Sequence, residues 1–456
     1  MSELEKIKTV EEAKQLVNQR KLNHVKVGLF DNDGVLLGKY MSRDKFFSAL
    51  DSGFSFCDVV LGWDCQDQIY DNTTFTGWHT GFPDKQVRIL PETVRRLPYE
   101  DNKLLFLAEF SGEAEQVCPR GLLRRVIEKA ASMGFWARAA CEYEFFLFQE
   151  TPDSIREKGY RNLKPFTPDA FGYSVIRNSV HAELYHQILS MAQSMNFPIE
   201  SIHPETGPGV IEAALVVDDI LQAADKAALF KTFMKVLAER NGLMATFMAR
   251  WSSEQAGQSG HIHMSLVDEE GQSVFYDASQ PNGMSAAQRH FIAGQQRLMP
   301  EFLALLAPTI NSYRRLLPGY WAPTHATWGV ENRTCALRLI PGNEKSQRVE
   351  YRLGAADACP YLALAAVLAS GLYGIEHKLE PTTPVTGNAY AQESSEELAL
   401  PRSLYEAAQA LKVSEAAKTY FGDTFVEHYS ATREWEEMEF RKHVTDWELA
   451  RYFEII

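Results

Sequence analysis

The chain has 456 residues, of which 45% are hydrophobic and 23% charged, and its formal net charge is −14. That length can bury a large core, and the composition is that of an ordinary globular protein. A chain this acidic, with no basic stripe, is not a general binder of nucleic acid or of anionic membranes.

Met1 to Arg20 is charged, with a helical pattern over residues 10–19, so no signal peptide is expected. Val25–Phe30 and Val35–Leu37 read as two strands joined by Asp31-Asn-Asp33-Gly34, a hairpin turn signal. Short strands and turns continue to about Leu107, and the Gly/Glu-rich stretch Ser111–Gln116 marks a boundary. Helices and strands then alternate. Pro119–Met133 is a helix with proline near its start, and Trp136–Phe148 is a strand. A helix is expected over Asn178–Met195 and strands over Phe197–Ile202 and Val210–Val217. Asp218 and Asp219 offer an N-cap to a helix ending near Arg240. Leu243–Ala249 and His261–Val267 are strands, and Ser285–Leu306 is a long helix. Cys335–Ile340 and Arg348–Leu353 are strands, followed by a helix over Ala356–His377. The apolar run Ala355–Ile375 contains Asp357 and Pro360, which makes it a buried helix rather than a membrane span. The last fifty residues are helical and acidic. The six cysteines (57, 65, 118, 141, 335 and 359) form no C-x-x-C pair and no zinc spacing. They read as free, mostly buried thiols of a reducing compartment, and the cytoplasm is the expected setting.

Four stretches repeat ionisable residues within apolar, strand-like sequence: Glu142-Tyr-Glu144, His203-Pro-Glu205 with Glu212, His261-Ile-His263, and Arg348-Val-Glu350-Tyr-Arg352. Residues i and i+2 of a strand share a face. Half-buried charges arranged in this way are costly unless paired or bound to an ion. Carboxylates with imidazoles are the donor set of hard divalent cations, and neighbouring arginines imply a phosphate or carboxylate beside that ion. Taken singly, each pair has a structural explanation: Glu142 and Glu144 with Arg124 or Arg138, or two satisfied imidazoles. A competing motif, Phe30-Asp31-Asn-Asp33-Gly34, looks like the nucleophile loop of haloacid dehalogenase-type phosphatases. The later metal loop of that pattern is poorly matched at Gly422-Asp423, and turn chemistry favours a plain hairpin.

The joint order of the motifs is specific. Glu142-Tyr-Glu144-Phe, Glu205-Thr-Gly-Pro-Gly-Val-Ile-Glu212, Ser259-Gly-His261-Ile-His263-Met-Ser265 and Asn311-Ser-Tyr-Arg-Arg315-Leu-Leu-Pro-Gly-Tyr-Trp321-Ala-Pro resemble successive elements of the glutamine synthetase family. So do Asn332-Arg333 with Arg338, and Lys345 with Arg348-Val-Glu350-Tyr-Arg352. The resemblance implies an α+β protein: a small N-terminal β-grasp-like domain over residues 1–112, and a glutamine synthetase-type catalytic α/β domain over 113–456. In the second, a curved antiparallel sheet is flanked by helices. It implies amide formation at the γ-carboxyl of glutamate, driven by ATP through a γ-glutamyl phosphate.

On that resemblance Glu144, Glu205 and Glu212 hold one Mg²⁺ or Mn²⁺ ion, and Glu142, His261 and Glu350 another, with two or three ions in all. Arg338 and Arg348 clamp the ATP phosphates, with His263, Ser265 and Lys345 as further nucleotide contacts. Arg333 meets the transferring phosphoryl group. Arg315 and Arg352 bind glutamate, whose loop includes Gly257. Asp64, with Asp67 close behind, is the candidate base, supplied by a neighbouring subunit. The family implies a homo-oligomer, a dodecamer of two hexameric rings, and small-molecule partners only.

The departures from the family pattern cluster. Trp321 stands where the family has the glutamate of its flap. Val210-Ile211 replaces an amide residue before Glu212, Ala256-Gly257-Gln258 replaces N-G-S, and Ala249-Arg250 replaces P-K. Tryptophan cannot accept a proton, but it offers an apolar wall or a π face to an organic cation. The expected acceptor is therefore an organic amine, aromatic or hydrophobic, as in the γ-glutamylpolyamine and γ-glutamylmonoamine branch. The alternatives are an ammonia-using glutamine synthetase, a polyamine-specific ligase, and a kinase or regulatory pseudoenzyme without ligase chemistry.

Overall fold

Two sheets organise the chain, and each follows from the apolar pattern of its central strand. The computed structural model describes residues 3–392 and 395–456. In the first sheet, β1 (His24–Phe30), β2 (Leu36–Ser42), β3 (Phe54–Cys57), β4 (Asp84–Ile89) and β6 (Leu104–Phe110) run in the order β2-β1-β6-β4-β3. The short β5 (Arg95–Arg96) pairs with β6 off that path. β1 and β6 are parallel and the other pairs antiparallel. Val25, Val27 and Leu29 are buried in one core with Phe46, Ala49 and Leu50 of helix Arg43–Ser52 and Leu16 and Val17 of helix Val10–Gln19.

The β1–β2 hairpin explains the phosphatase-like motif. Asp31 Oδ1 accepts the backbone N–H of Asp33 at 3.0 Å and of Val35 at 2.8 Å, closing the turn. Asp33 pairs with Arg433 at 3.0 Å, so the turn is fastened to the helix Asp423–Phe440 near the C-terminal end of the chain.

The second sheet is centred on β7 (Trp136–Phe148). It also contains β8 (Ile199–Pro204), β9 (Val210–Leu215), β10 (Asp218–Asp219), β11 (Met244–Thr246), β12 (Gly260–Val267), β13 (Trp328–Val330), β14 (Leu337–Ile340) and β15 (Arg348–Tyr351). The order is β13-β14-β15-β12-β7-β9-β8, with β10 and β11 also on β7. All pairs are antiparallel except β13–β14. This is the α+β architecture expected for the catalytic region. Along β7, Ala137, Ala139, Cys141, Tyr143 and Phe145 are buried under the helices, while Arg138, Glu142 and Glu144 look the other way. The same core holds helices Pro119–Ser132, Ile220–Arg240, Ala286–Leu306 and Pro360–Glu376. Helices Ala286–Leu306 and Pro360–Glu376 cross at backbone distance, because a Cβ on Gly294 would sit 2.2 Å from the Ser370 carbonyl oxygen. Among the described residues, no helix is long and apolar enough to cross a membrane.

Several expected elements change length for local reasons. The helix over 178–195 is two pieces, Val175–Val180 and Ala182–Ser194, broken at His181. Asp218 and Asp219 do not cap the next helix with their side chains. They pair with Ala139 and Arg138 of β7, and Asp219 meets the Arg138 guanidinium at 2.8 Å. The strand expected at Leu243–Ala249 shortens to β11, and β15 stops at Tyr351 because Arg315 takes the carbonyls of Arg352 and Leu353. The following helix begins only at Pro360, with proline in its first turn. All six cysteines are free; four are buried, Cys57 is half-buried and Cys65 is exposed.

Candidate active site

Strand register, not proximity in sequence, assembles the site. Across the exposed face of the second sheet, Arg338 lies opposite Glu350, Glu350 opposite His263, His261 opposite Glu142, Glu144 opposite Glu212, and Glu212 opposite His203. The period-two pattern of each strand thus becomes one acidic floor spanning six strands. The floor lines a cleft of about 420 Å³ with Tyr173, Ala256, Gly257, Arg315, Tyr320, Trp321, Arg333 and Arg352 around it.

Every floor carboxylate has a partner. Glu350 receives Arg352 at 2.6 Å and Arg338 at 3.0 Å, and lies 3.5 Å from His261 Nδ1. His261 Nδ1 also lies 3.2 Å from Glu142, whose other oxygen is 3.8 Å from His263 Nε2. Glu144 accepts both the backbone N–H of Ser259 at 2.6 Å and its hydroxyl at 2.7 Å. His203 Nε2 stands 3.1 Å from Glu205 and 3.6 Å from Glu212. Burial pushes the Glu350 carboxyl up, but the charges of His261, Arg352, His263 and Arg338 outweigh it and hold the group at about 2. Burial likewise opposes ionisation of Glu142, and hydrogen bonds from His261 and His263 hold it well below the usual carboxylate range. Glu212 goes the other way: burial, then crowding by Glu142, Glu144 and Glu205, raises it to about 9. Unlike Glu142 and Glu350, Glu212 has too little positive charge around it to stay ionised.

These residues fit a divalent cation. Glu142, His263 and Glu350 form one group whose ligand atoms lie within 4.8 Å of one another, and His203, Glu205 and Glu212 form a second. The His261 Nε2 atom is buried on the same floor without a hydrogen-bond partner, and crowded carboxylates of this kind are stabilised by a cation between them. The sequence motifs overlap both groups but divide them differently. His263 joins the first group and His203 the second, while the expected His261 also lies beside Glu142 and Glu350, at 3.2 and 3.5 Å. His203 was visible in the sequence as i, i+2 to Glu205, but no role was assigned to it.

The arginines stand in two settings. Arg315 is buried, donates to the Leu353 carbonyl at 2.9 Å and to Arg352 at 3.1 Å, and is lowered to about 10 by burial. Arg338 bridges Glu331 and Glu350. Arg348 belongs to a second cavity farther along the same face of the sheet, with Arg138, Ser265 and Lys345; that cavity shares Glu142 and His263 with the cleft. Arg348 Nε donates to His263 Nδ1 at 3.3 Å. The remaining wall is aromatic. Trp321 is 60% exposed and Tyr173 71%, so both offer open ring faces at the mouth. Both hold positive φ, 58° and 61°, and the Tyr173 ring stacks on His203 at 4.3 Å. Tyr173 carried no motif signal, because it reaches the site from a loop. Asp64 lines a separate cavity with Cys65, Arg314, Trp435 and Glu436, so within one chain it is not brought into the cleft.

Comparison with known proteins places this arrangement. A family model described as the glutamine synthetase catalytic domain matches residues 116–452. The chain is 43% identical over 450 residues to the type-1 glutamine synthetase 2 of Dictyostelium discoideum, covering 97% of this chain and 86% of that one. It is 37% identical over 465 residues to a glutamate–isopropylamine ligase of Pseudomonas sp., covering 100% of both. A solved structure titled as a GmaS/ADP complex superposes with a TM-score of 0.84 at 25% identity, covering 97% of this chain and 99% of that one. The chain therefore belongs to the glutamine synthetase family.

Proposed function

We propose that the protein is an ATP-dependent ligase that joins glutamate to an organic amine, hydrophobic or aromatic, through a γ-amide bond. The observation that carries this reading is the contrast within one cleft: an acidic floor with arginines beside it, and an aromatic mouth with Trp321 in place of a carboxylate. The glutamate–isopropylamine ligase, whose name gives it an organic amine, supports the same reading. The ammonia reading is kept because the Dictyostelium relative is named a glutamine synthetase.

In this reading a γ-carboxylate oxygen of glutamate attacks the terminal phosphorus of ATP, and ADP leaves with the bonding electrons. The amine lone pair then attacks the acyl carbon of the γ-glutamyl phosphate, and phosphate departs. Arg315 and Arg352 hold glutamate near Gly257, and Arg333 stabilises the transferring phosphoryl group. Arg338, Arg348, His263, Ser265 and Lys345 hold the nucleotide, which places the second cavity on the ATP side. Glu142, Glu144, Glu205, Glu212, His261 and Glu350, with His203, would hold two or three Mg²⁺ or Mn²⁺ ions. When bound, these ions neutralise phosphate oxygens and draw negative charge off the reacting centre. Asp64 of a neighbouring copy takes the proton released by the amine. A chain whose own Asp64 lies outside its cleft is consistent with that arrangement. The same reading takes residues 1–112 and 113–456 as separate domains, and the working form as a cytoplasmic dodecamer of two hexameric rings.

The test is ADP release with ATP, glutamate and a panel of amines that includes ammonia and a polyamine. A hydrophobic monoamine should give the highest kcat/KM. Ammonia outperforming every organic amine would return the protein to the glutamine-forming reading. ADP release that needs no amine would point to a kinase.

A further inference from the structure

Arg250 lies outside the cleft and has no part in the chemistry above, yet it is bonded to both loops of the acceptor end. It follows β11 and is 8% exposed. Its Nε donates to the carbonyls of Ser252 at 3.1 Å and Gln255 at 3.0 Å, and its Nη2 to Ser253 at 2.7 Å. Its Nη1 donates to the Arg314 carbonyl at 2.9 Å. The Asn311 amide grips the Arg250 backbone from both sides, accepting its N–H and donating to its carbonyl, each at 2.7 Å. The guanidinium carbon lies 4.6 Å from the centre of the Tyr320 ring.

These contacts tie together two segments that lie far apart in the sequence. Residues 252–255 lead directly into Ala256 and Gly257 on one wall of the cleft. Residues 311–320 carry Arg315 and end at Tyr320 and Trp321 on the other. The gap between them is tight: a Cβ on Gly257 would stand 2.6 Å from Arg315 Cγ and 2.7 Å from the Ala249 carbonyl oxygen. A small change in loop spacing is therefore felt directly where glutamate and the amine meet. Only a planar, five-donor group can satisfy four carbonyls on two loops and stack on a ring at once; an ammonium has three donors at one point.

We propose that Arg250 is a positioning residue that sets the spacing of the two acceptor-side loops and so governs which amine is used, without touching it. This rests on the assignment of the aromatic mouth to the acceptor. The variant Arg250→Lys keeps the charge and removes the fork. Kinetics of the full-length enzyme should show kcat/KM for a bulky hydrophobic amine falling about tenfold or more, KM for glutamate rising, and KM for ATP staying within about twofold, because the nucleotide cavity shares no residue with these loops. The ratio of bulky amine to ammonia should fall with it. Tyr320→Leu, which removes the stacked ring and keeps an apolar side chain in the cleft wall, should move the same ratio in the same direction by less.

An unchanged ratio and unchanged KM for glutamate in Arg250→Lys would overturn the proposal. So would parallel loss for ATP, glutamate and amine, which is what a merely structural role produces. The wild-type amine panel separates this outcome from a failure of the acceptor assignment. If the wild type prefers ammonia, the assignment falls, while KM for glutamate against KM for ATP still decides whether Arg250 sets the loops.

Discussion

The floor of the cleft and its mouth are built by different physical means. The floor stands on paired strands, where register fixes each side chain and buried ion pairs hold it; Glu350 alone engages Arg338, Arg352 and His261. The mouth stands on loops. Trp321 and Tyr173 are exposed and sit at positive φ, and Tyr173 touches the sheet only at its β8 edge, through His203 and Pro204. A sheet places charges to within tenths of an ångström but tolerates little change. A loop can exchange one residue for another without disturbing the floor, which is how one ATP-using scaffold serves different acceptors.

The comparison is broken most directly at the floor. Glu350→Ala removes the carboxylate shared by two arginines and a histidine, leaving buried charge unpaired. ADP release should fall by at least about a hundredfold with every amine, ammonia included. Glu350→Gln, which keeps the shape, should do nearly the same with a smaller loss of thermal stability, separating the chemical effect from the structural one. Chelation of divalent cations should likewise stop turnover for every acceptor. Residual activity that depended on which amine was supplied would show that floor and mouth are not separable.

Acid sets the range over which that separation can be measured. His428, on helix Asp423–Phe440, donates from Nε2 to the Leu61 carbonyl at 2.9 Å, and its Nδ1 is buried without a partner. Protonation would strand a buried N–H, and burial lowers the imidazole to about 4. The folded state thus holds fewer protons than the unfolded chain. The stability that neutral His428 provides is complete above its ordinary value near 6.5 and is lost as pH falls from about 6.5 to 4, by about 3 kcal/mol. Thermal midpoints across that range should drop more steeply for wild type than for His428→Gln. Equal slopes would place the acid sensitivity elsewhere, and kinetics at both regions would then need a different lower limit of pH.

How much of this was legible beforehand follows the same division. Strand β7 was readable to its end residues, because alternation over its first ten residues runs into the apolar Phe146-Leu-Phe148 and leaves little freedom. The i, i+2 carboxylates and imidazoles were readable for the same reason. Their grouping was not, since register between distant strands decides that both His261 and His263 come up beside Glu142 and Glu350. Tyr173 was hidden, because no period marks a loop residue; Tyr320 and Arg250 stood inside or beside quoted motifs, but contacts such as Arg250 to Arg314, which join segments far apart in the chain, could not be read. Asp31 and Asp33 were read correctly as a hairpin turn, although a turn and a nucleophile loop use the same residues.

The mouth is tested most finely at Trp321. It is 60% exposed, so its replacement should leave thermal stability within about 0.5 kcal/mol. Trp321→Ala should raise KM for a hydrophobic amine by about tenfold through loss of apolar contact, with ammonia and ATP little affected. Trp321→Glu goes further, since a carboxylate at that position attracts a small cation and repels nothing that ammonia presents. Its preference should swing toward ammonia while the ATP dependence stays that of wild type. If both variants lose all acceptors equally, the tryptophan acts as a lid over the acyl phosphate rather than as a wall for the amine, and the mouth then belongs with the floor.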